Sequence, residues 1–565
     1  MTTTSLRSAD SRSAASSTPA PVTIPKRPDR KPLVVIPDKS RGMGLSVWAT
    51  RGAGKSRLLG RIIAFQDFSR GVPLVILDPI GGTIDNFLDK VSRRPLAERV
   101  KLWQRVRYVN MNGQDGRIIP WPIYYQAYKG ERFSDVSQRY IDVVARTDPD
   151  LARAAIQGMN AFVPVAHAAG IVLAALGLGI TEARSLIEEP TRWEQRLAAV
   201  AGTYPETAPA VAQCRALAKL SAAEQTNRLT AFKSKLSLFE LSPNFRAMFG
   251  ATKPGINWHD VIDSRQAVLI DFRDVKGPDK KFCLLWVYSS LVNYIKHRGH
   301  GRHTPLSFII DELSYLVGAS GPNLDLLTTD IDELINRIAR SHRVWLTIAG
   351  QELFQLPEQI KQTVLAMGNV LFGQTSHPAT AEELAKRYYP YDPRRIKKTE
   401  SIQGVVFPGL SGGRFGRSIP PRYGTVGVRT TEYTVAEQIT LDSRVFLELQ
   451  PFHFLLGQSS REGELPITLQ PLTIQRLDHG QHADTTKTSL LRSELMRRDG
   501  TSEAALLAAI ANRLTEQMTV VSKTPVTSGP PAQSPQTQVR KDNKEVPPAV
   551  RPRISRRSPA QTPRA

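Results

Sequence analysis

The chain is 565 residues long, 41% of its residues are hydrophobic, and its formal net charge is +23 at pH 7. This length allows two to four domains, and the hydrophobic fraction is ample for a globular core. The two cysteines, Cys214 and Cys283, exclude a disulfide framework or a cysteine metal cluster and are predicted to be buried thiols. The basic excess favours a polyanionic partner, nucleic acid or an anionic membrane surface; the alternative is basic tails that serve solubility only.

The N-terminal segment 1–31 is rich in Ser, Thr, Ala, Pro and Arg, lacks periodicity, and is predicted to be a disordered basic tail. It contains no apolar signal-peptide core, so a cytoplasmic location is expected. The longest apolar stretch, 162–180, approaches the length of a membrane span. It contains Pro164, His167 and glycines, and polar helical sequence flanks it. We therefore predict a buried helix of a soluble domain.

The segment from Leu45 to Gly60 indicates a buried strand, a tight loop and the start of a helix. Its loop, residues 49–56, fits the phosphate-loop pattern with Ala49 in place of the first glycine. Glycines let backbone N–H groups turn inward around phosphate oxygens, the lysine would reach the β- and γ-phosphates, and the serine would ligate Mg²⁺. The predicted nucleotide-binding residues are Thr50, Arg51, Gly52, Ala53, Gly54, Lys55, Ser56 and Arg57, with Ser56 also a predicted metal ligand.

Apolar strands that alternate with helices predict an α/β fold with a mostly parallel sheet. The predicted strands are 73–82, 106–111, 266–272, 305–316, 344–351, 369–374 and part of 444–457. Residues 400–433 are predicted to be a long loop or a hairpin. The predicted domains are the first part of the α/β domain 32–130, a helical insertion 131–243, the second part of the α/β domain 244–475, and a mostly disordered tail 476–565 with a short helix near 502–518.

A second acidic motif follows the apolar strand at 305–316. Asp311 suits Mg²⁺ binding, directly or through water, and Glu312 suits orientation and polarisation of a water beside the γ-phosphate. Gln351 ends the next apolar strand and is predicted to sense the γ-phosphate. Arg340, in the turn before that strand, is predicted to stabilise charge at the nucleotide of a neighbouring subunit; Arg337 and Arg343 are alternatives, and so is a solvated basic helix end.

This order of motifs resembles the DNA-pumping ATPases of the HerA/FtsK group and is most similar to conjugative coupling proteins and related type IV secretion ATPases. The resemblance covers roughly residues 33–475. It implies a RecA-like core, ATP and Mg²⁺ as cofactors, a hexameric ring, and ATP-driven DNA movement. By position it implies that Lys55 and Ser56 bind nucleotide and metal, that Asp311 and Glu312 form the second acidic motif, and that Gln351 and Arg340 act as sensor and arginine finger.

The chain departs from the family pattern at Ala49, Arg51 and Ile80, and membrane helices that many coupling proteins carry at the N-terminus are not apparent. We therefore expect a soluble relative, or one recruited by a membrane partner such as secretion-channel components or a relaxase.

Two segments are candidate DNA contacts. Residues 386–398 interleave aromatic and basic side chains, which suits phosphate contact with base stacking, and 409–424 is a candidate pore loop. Solvated surface loops are an equal alternative for both. The spacing of His297, His300 and His303 permits a metal, but without an acidic or cysteine ligand nearby a solvated basic loop is preferred.

Three functions remain open from the sequence. The first is an oligomeric ATPase that translocates DNA in conjugation or type IV secretion. The second is an ATPase that moves protein substrates through a secretion channel. The third is a nucleotide-gated DNA-binding scaffold with weak hydrolysis, against which the intact Lys55, Asp311 and Glu312 argue.

Overall fold

The computed structural model describes residues 36–148, 162–217, 219–299, 303–317, 330–406, 422–459, 469–474 and 483–519. The predicted N-terminal tail, His300, residues 409–421 of the candidate pore loop, and the chain beyond residue 519 lie outside this part. No helix in the described part is long and apolar enough to cross a membrane.

A single large sheet organises the described chain. The strands, in chain order, are β1 Leu45–Trp48, β2 Leu74–Asp78, β3 Val106–Asn110, β4 Arg117–Ile118, β5 Ala267–Asp271, β6 Leu306–Ile310, β7 Val344–Gly350, β8 Asn369–Phe372, β9 Ile396–Val406, β10 Arg422–Glu432, β11 His453–Gln458, β12 Leu469–Thr473 and β13 Thr501–Ser502. Nine of these described strands form the main sheet in the order β12-β11-β8-β1-β7-β6-β2-β5-β3.

The central strands are parallel, and only β11 and β12 run antiparallel to their neighbours. Strands β1, β2, β5, β6, β7 and β8 are buried along their whole length. This burial explains their unbroken apolar runs, since helices cover both faces of a parallel sheet. The α/β fold class predicted from the sequence is confirmed.

Helices surround the sheet and form the segment between β4 and β5. Their bounds are Asp38–Arg41, Lys55–Arg57, Leu58–Ala64 (π), Phe65–Ser69, Gly82–Ser92, Leu96–Gln104, Phe133–Thr147, Phe162–Leu176, Ala183–Glu188, Glu194–Thr203, Ala208–Leu217, Ala222–Leu241, Pro243–Phe249, Trp258–Asp263, Gly277–Arg298, Ser314–Val317, Leu334–Ile338 (π), Ala339–Ser341, Glu358–Leu365, Pro378–Tyr388, Val435–Leu447, Thr485–Asp499 and Glu503–Thr519. Short 3₁₀ turns span Ile180–Glu182, Pro190–Trp193, Pro205–Thr207 and Leu353–Gln355.

The long apolar stretch is a helix, Phe162–Leu176, with eight of its fifteen residues buried. It packs against the helices Phe133–Thr147, Ala208–Leu217 and Ala222–Leu241, and Phe162 contacts the rings of Tyr140 and Phe232 on the first and last of these. Its apolar surface is therefore covered by protein. Both cysteines are buried thiols, as their apolar surroundings predict.

Two segments differ from the sequence-based expectation. The predicted strand at 444–457 is only partly confirmed. His453–Gln458 form β11, whereas residues 444–447 end the helix Val435–Leu447, which starts at a reciprocal capping box of Thr434 and Glu437. Residues 485–499 form a helix in a region predicted to lack order, and the predicted short helix is Glu503–Thr519. The arms of the predicted loop or hairpin pair as the antiparallel strands β9 and β10.

The helix Thr485–Asp499 is held against the edge of the sheet by charge. Asp499 pairs with Arg107 of β3, Arg492 pairs with Asp85, and Arg498 donates to the carbonyl of Val106. The short strand β13 then pairs with β4. A segment of low hydrophobicity thus becomes ordered through partners that lie almost 400 residues earlier in the chain.

Candidate nucleotide-binding site

The phosphate loop leaves the carboxyl end of β1 and turns sharply into a helix. Gly52 and Gly54 adopt φ angles of 90° and 100°, a left-handed region that residues with a Cβ rarely enter. The helix begins at Lys55, directly after Gly54. The backbone N–H of Thr50 donates to the carbonyl of Gln374 after β8 at 2.8 Å, which ties the loop to the neighbouring strand. The phosphate loop therefore has the geometry of an anion-binding site at a helix N-terminus.

Lys55 meets the second acidic motif across the sheet. Its Nζ donates to Glu312 Oε2 at 2.9 Å and lies 3.5 Å from Asp311 Oδ1, although 257 residues separate Lys55 from Glu312. All three side chains are at least nine-tenths buried. Burial lowers the pKa of Lys55, but the charges of Asp311 and Glu312 outweigh it and raise the pKa overall. Lys55 is therefore a cation in the described state.

Glu312 is held in a fixed, strained position. Its φ of 60° is left-handed, a conformation that costs a non-glycine residue about 1–3 kcal/mol. Besides Lys55, it accepts hydrogen bonds from Ser314 Oγ at 3.0 Å and from the backbone N–H of Gln351 at 3.2 Å, both on Oε1. Such strain persists only where the surroundings impose it, so the fold fixes this carboxylate rather than leaving it free to rotate.

Asp311 is the better metal-ligand candidate of the acidic pair. Its Oδ2 accepts from Thr83 Oγ1 at 2.7 Å, while its buried Oδ1 has no hydrogen-bond partner among the described residues. Ser56 lies beside the same turn, at Gly82. Its Oγ is 3.2 Å from the position that the Cβ of any other residue at Gly82 would occupy. An acidic oxygen and a hydroxyl at this place are the donors that Mg²⁺ prefers, so these residues fit the ion.

Asp78 ends β2 and organises the adjacent turn. It accepts four backbone hydrogen bonds, two on each oxygen, and is completely buried; the donors are Ile80, Gly81, Thr83 and Ile84. Burial, followed by the charges of Asp311 and Asp271, raises the pKa of Asp78 to about 7. Through its four backbone hydrogen bonds Asp78 fixes the turn that carries Thr83. The Thr83 hydroxyl in turn orients Asp311.

We expect Asp78→Asn to destabilise the protein, because the amide nitrogen cannot accept N–H donors and each buried donor left unsatisfied costs about 1–3 kcal/mol. The pKa of Asp78 is raised from 3.8 to about 7, so the folded state holds an additional proton between those values. The unfolding free energy of the unmodified chain should therefore contain a component that falls as pH rises through this range, and the variant should lack it.

Denaturant unfolding across this pH range would measure both effects. Asp115→Asn, at an exposed position, makes the same chemical change and serves as the control. An Asp78→Asn protein as stable as this control would contradict the role of Asp78 in the turn.

A charged network extends from the site towards the helix Thr485–Asp499. Arg273 donates to Asp271 Oδ2 at 2.7 Å and to Asp85 Oδ2 at 2.9 Å, and Arg492 of that helix also pairs with Asp85. Because Asp271 ends β5, next to Asp78 on β2, this network lies at the same edge of the sheet as the site. The helix is therefore tied directly to the acidic end of the strands.

The remaining predicted residues fall into two groups. Gln351 follows β7, between the strands of Lys55 and Glu312, and its backbone rather than its side chain contacts Glu312. Arg340 precedes β7 and so lies towards the amino edge of the sheet, away from the phosphate loop of its own chain. Arg340 is half-buried, whereas Arg337 and Arg343 are exposed. This fold does not bring any of these arginines to Lys55 of the same chain.

Phe452 is a site residue that the sequence did not indicate. Its ring lies against the phosphate loop, so that a Cβ built on Gly54 would be 2.5 Å from its Cδ1. Its N–H donates to the Ala53 carbonyl at 2.9 Å, and the Arg57 guanidinium lies 5.0 Å from the ring centroid. Phe452 adopts a φ of 67° immediately before β11. A lone aromatic residue before a strand is too common to single out without the fold.

We expect Phe452→Ala to raise the KM for ATP several-fold with little change in kcat, because it loosens the loop that binds phosphate without touching Glu312. Phe452→Tyr keeps the ring and should behave like the unmodified chain. Steady-state hydrolysis over a range of ATP concentrations measures KM and kcat separately. A lower kcat at unchanged KM would contradict a role confined to loop geometry.

The described fold and site define a class. A phosphate loop on a central strand of a mostly parallel sheet, facing an acidic pair two strands away, is a RecA-like P-loop nucleoside triphosphatase core. No protein-family model and no curated protein matches the chain.

Solved structures do match. The bacterial conjugative coupling protein TrwBdeltaN70, in its unbound monoclinic form, is 17% identical with a TM-score of 0.45 over 79% of this chain and 88% of that one. Plasmid coupling protein TrwB in complex with ADP and Mg²⁺ is 16% identical with a TM-score of 0.45, over 80% and 92%. VirB4 of Thermoanaerobacter pseudethanolicus is 13% identical with a TM-score of 0.37, over 61% and 80%. The chain is thus similar to conjugative coupling proteins, the class that its motif order resembles.

Proposed function

We propose that this protein is an ATP-hydrolysing motor that translocates DNA in conjugative transfer or type IV secretion. The observation that carries the proposal is the meeting of Lys55 with Asp311 and Glu312 at 3.5 and 2.9 Å in a buried site. A phosphate loop alone would fit many nucleotide-binding proteins. A fixed carboxylate beside the lysine adds a candidate general base, a group that can orient the attacking water and accept its proton.

In this proposal each residue has a distinct task. The loop from Thr50 to Arg57 binds the phosphates, with Lys55 leaving Glu312 to reach the γ-phosphate. Ser56 and Asp311 would hold Mg²⁺, which neutralises phosphate charge when bound. Glu312, once released by Lys55, accepts a proton from the attacking water. Gln351 would report the state of the γ-phosphate to its strand.

The proposed assembly is a homo-oligomeric ring, with DNA as cargo. Arg340 would act on the nucleotide of a neighbouring subunit; its position at the amino edge of the sheet, away from the phosphate loop of its own chain, supports this role. The net charge of +23 supports a polyanionic cargo. The ribbon formed by β9 and β10 is a further candidate contact: it carries Arg429 together with Lys397 and Lys398, which pair with Glu437 and Glu400.

The experiment is steady-state ATP hydrolysis with no DNA, single-stranded DNA or double-stranded DNA, at low and moderate salt. Strong stimulation by one DNA form, lost in Glu312→Gln, is the expected result and identifies the strand form engaged. Hydrolysis that Glu312→Gln abolishes but DNA leaves unchanged would contradict DNA translocation and favour movement of a protein substrate. Sedimentation with and without nucleotide tests the ring.

A further inference from the structure

A large cavity lies far from the phosphate loop. Its volume is about 860 Å³, within the range of roughly 300–1,000 Å³ that small-molecule sites occupy. His303 and Thr304, directly before β6, line it, as does the end of the helix Gly277–Arg298. Because the phosphate loop lies at the carboxyl edge of the sheet, the cavity belongs to the opposite, amino edge.

The wall of the cavity is aromatic. Tyr125, Trp258 and Tyr294 are buried in it, and Ser290 satisfies the Trp258 indole N–H at 2.9 Å. Tyr128 and His297 stack face to face beside them, with ring centroids 3.6 Å apart and an angle of 6° between the planes. Tyr128 is half-buried and His297 is exposed, so the pair offers a platform on which a further planar ring can stack.

Two cations line the cavity. Lys129 lies exposed next to Tyr128, and Arg298 follows His297; among the described lining residues the carboxylate is Asp263, 3.2 Å from His259, and Glu131 and Asp135 lie near Tyr128. Arg298 donates to backbone carbonyls through its terminal nitrogens, while its buried Nε has no hydrogen-bond partner among the described residues. His303 Nε2 is likewise buried without a partner in that part of the chain. Both are polar atoms that a ligand in the cavity could satisfy.

Other ligand classes fit less well. Within the described ranges, no three His, Cys, Asp or Glu side chains come together in an arrangement that could hold a metal ion. An aliphatic ligand would leave the cationic groups unmatched. A planar aromatic group that carries an anion uses both features, since base stacking and phosphate contact are the two means by which proteins bind single nucleic acid strands.

We propose that this cavity binds a nucleobase together with its phosphate. The base would stack on the Tyr128–His297 pair, and Lys129 and Arg298 would face the phosphate. The nucleotide comes either from a single DNA strand or from the free pool. Binding of a DNA strand at this cavity rests on the DNA-translocating function proposed above. Binding of a free nucleotide does not depend on that function.

The test uses the full chain without ATP and two probes, a single-stranded oligothymidylate labelled with fluorescein and free thymidine monophosphate. Tyr128→Leu removes the stacking ring and should weaken binding about tenfold, since stacking is worth roughly 1–3 kcal/mol per base. Tyr128→Trp keeps a ring and should preserve affinity. Lys129→Ala should weaken oligonucleotide binding and lower its salt dependence, and Lys101→Ala, an exposed lysine outside the cavity, is the matched control.

A photocrosslink locates the contact independently of the basic ends of the chain. An oligonucleotide that contains 5-bromodeoxyuridine should attach to peptides that include Tyr125–Lys129 or Tyr294–Arg298. His297→Ala, at an exposed position, tests the platform if the Tyr128 variant fails to fold. Loss of affinity for the strand alone identifies DNA as the source, and loss for thymidine monophosphate identifies the free nucleotide.

The proposal is overturned if Tyr128→Leu, His297→Ala and Lys129→Ala bind both probes as the unmodified chain does and crosslinks fall only elsewhere. Because ATP is omitted, this result can be told apart from failure of the proposed motor. A chain that hydrolyses ATP without DNA stimulation could still bind nucleotide here, and a DNA-stimulated ATPase could fail this test.

Discussion

Glu312→Gln should reduce ATP turnover by about 10²–10⁴-fold, the contribution of a positioned general base, while ATP binding persists. The side chain keeps its shape, and an amide oxygen at the Oε1 position can still accept from both Ser314 and the Gln351 backbone, although the bond from Lys55 to Oε2 is lost. What is lost is the capacity to take a proton from water. Single-turnover hydrolysis together with equilibrium binding of ATP measures the two effects separately.

Glu352→Gln is the matched control for this prediction. Glu352 is also buried near the end of β7, but it accepts hydrogen bonds from Thr375 and Ser376, away from Lys55. It should retain the turnover of the unmodified chain. Equal turnover in Glu312→Gln and the unmodified chain would remove Glu312 from the reaction and leave the general base unassigned.

Lys55→Ala should abolish nucleotide binding and also destabilise the fold. It leaves Asp311 and Glu312, 3% and 2% exposed, without the cation that faces them. Removal of one partner of a buried ion pair costs about 3–5 kcal/mol, because the remaining charge is uncompensated. Denaturant unfolding and nucleotide binding, measured on the same preparation, give the two results.

A double variant separates stability from function. Lys55→Met combined with Glu312→Gln removes both the cation and one buried carboxylate, so it should recover part of the stability lost in Lys55→Ala but none of the nucleotide binding. If the double variant binds nucleotide as the unmodified chain does, the loop does not bind phosphate through Lys55. If Lys55→Ala is as stable as the unmodified chain, the buried pair contributes little to the fold.

Much of the fold was open to prediction because it follows from local pattern. Apolar runs that end in polar residues indicated β1, β2, β5, β6 and β7, and the parallel order of their ends brings Lys55 and Glu312 together. The spacing of glycines indicated the loop, and the structure has both Gly52 and Gly54 in the left-handed conformation. Their roles in binding and hydrolysis stay predictions.

The rest depends on contacts distant in sequence. The helix Thr485–Asp499 has little apolar character of its own, and its ion pairs with Arg107 and Asp85 cannot be read from a local window. Phe452 becomes informative only when β11 places it on Gly54. The first residues of the predicted strand 444–457 were wrong: they end the helix Val435–Leu447, whose capping box at Thr434 lies ten residues before that segment.

The pairing of β1 also bears on how the protein is synthesised. Leu45 pairs with Thr347 on one side and Asn369 on the other, so the strand that carries the phosphate loop has no neighbour until some 300 residues more have been translated. At about 5–20 residues per second this takes roughly 15–60 s, during which an apolar strand stays without its partners on the ribosome. Nascent chains of this protein should therefore depend on chaperones, and fragments that end before Phe372 should aggregate or be degraded.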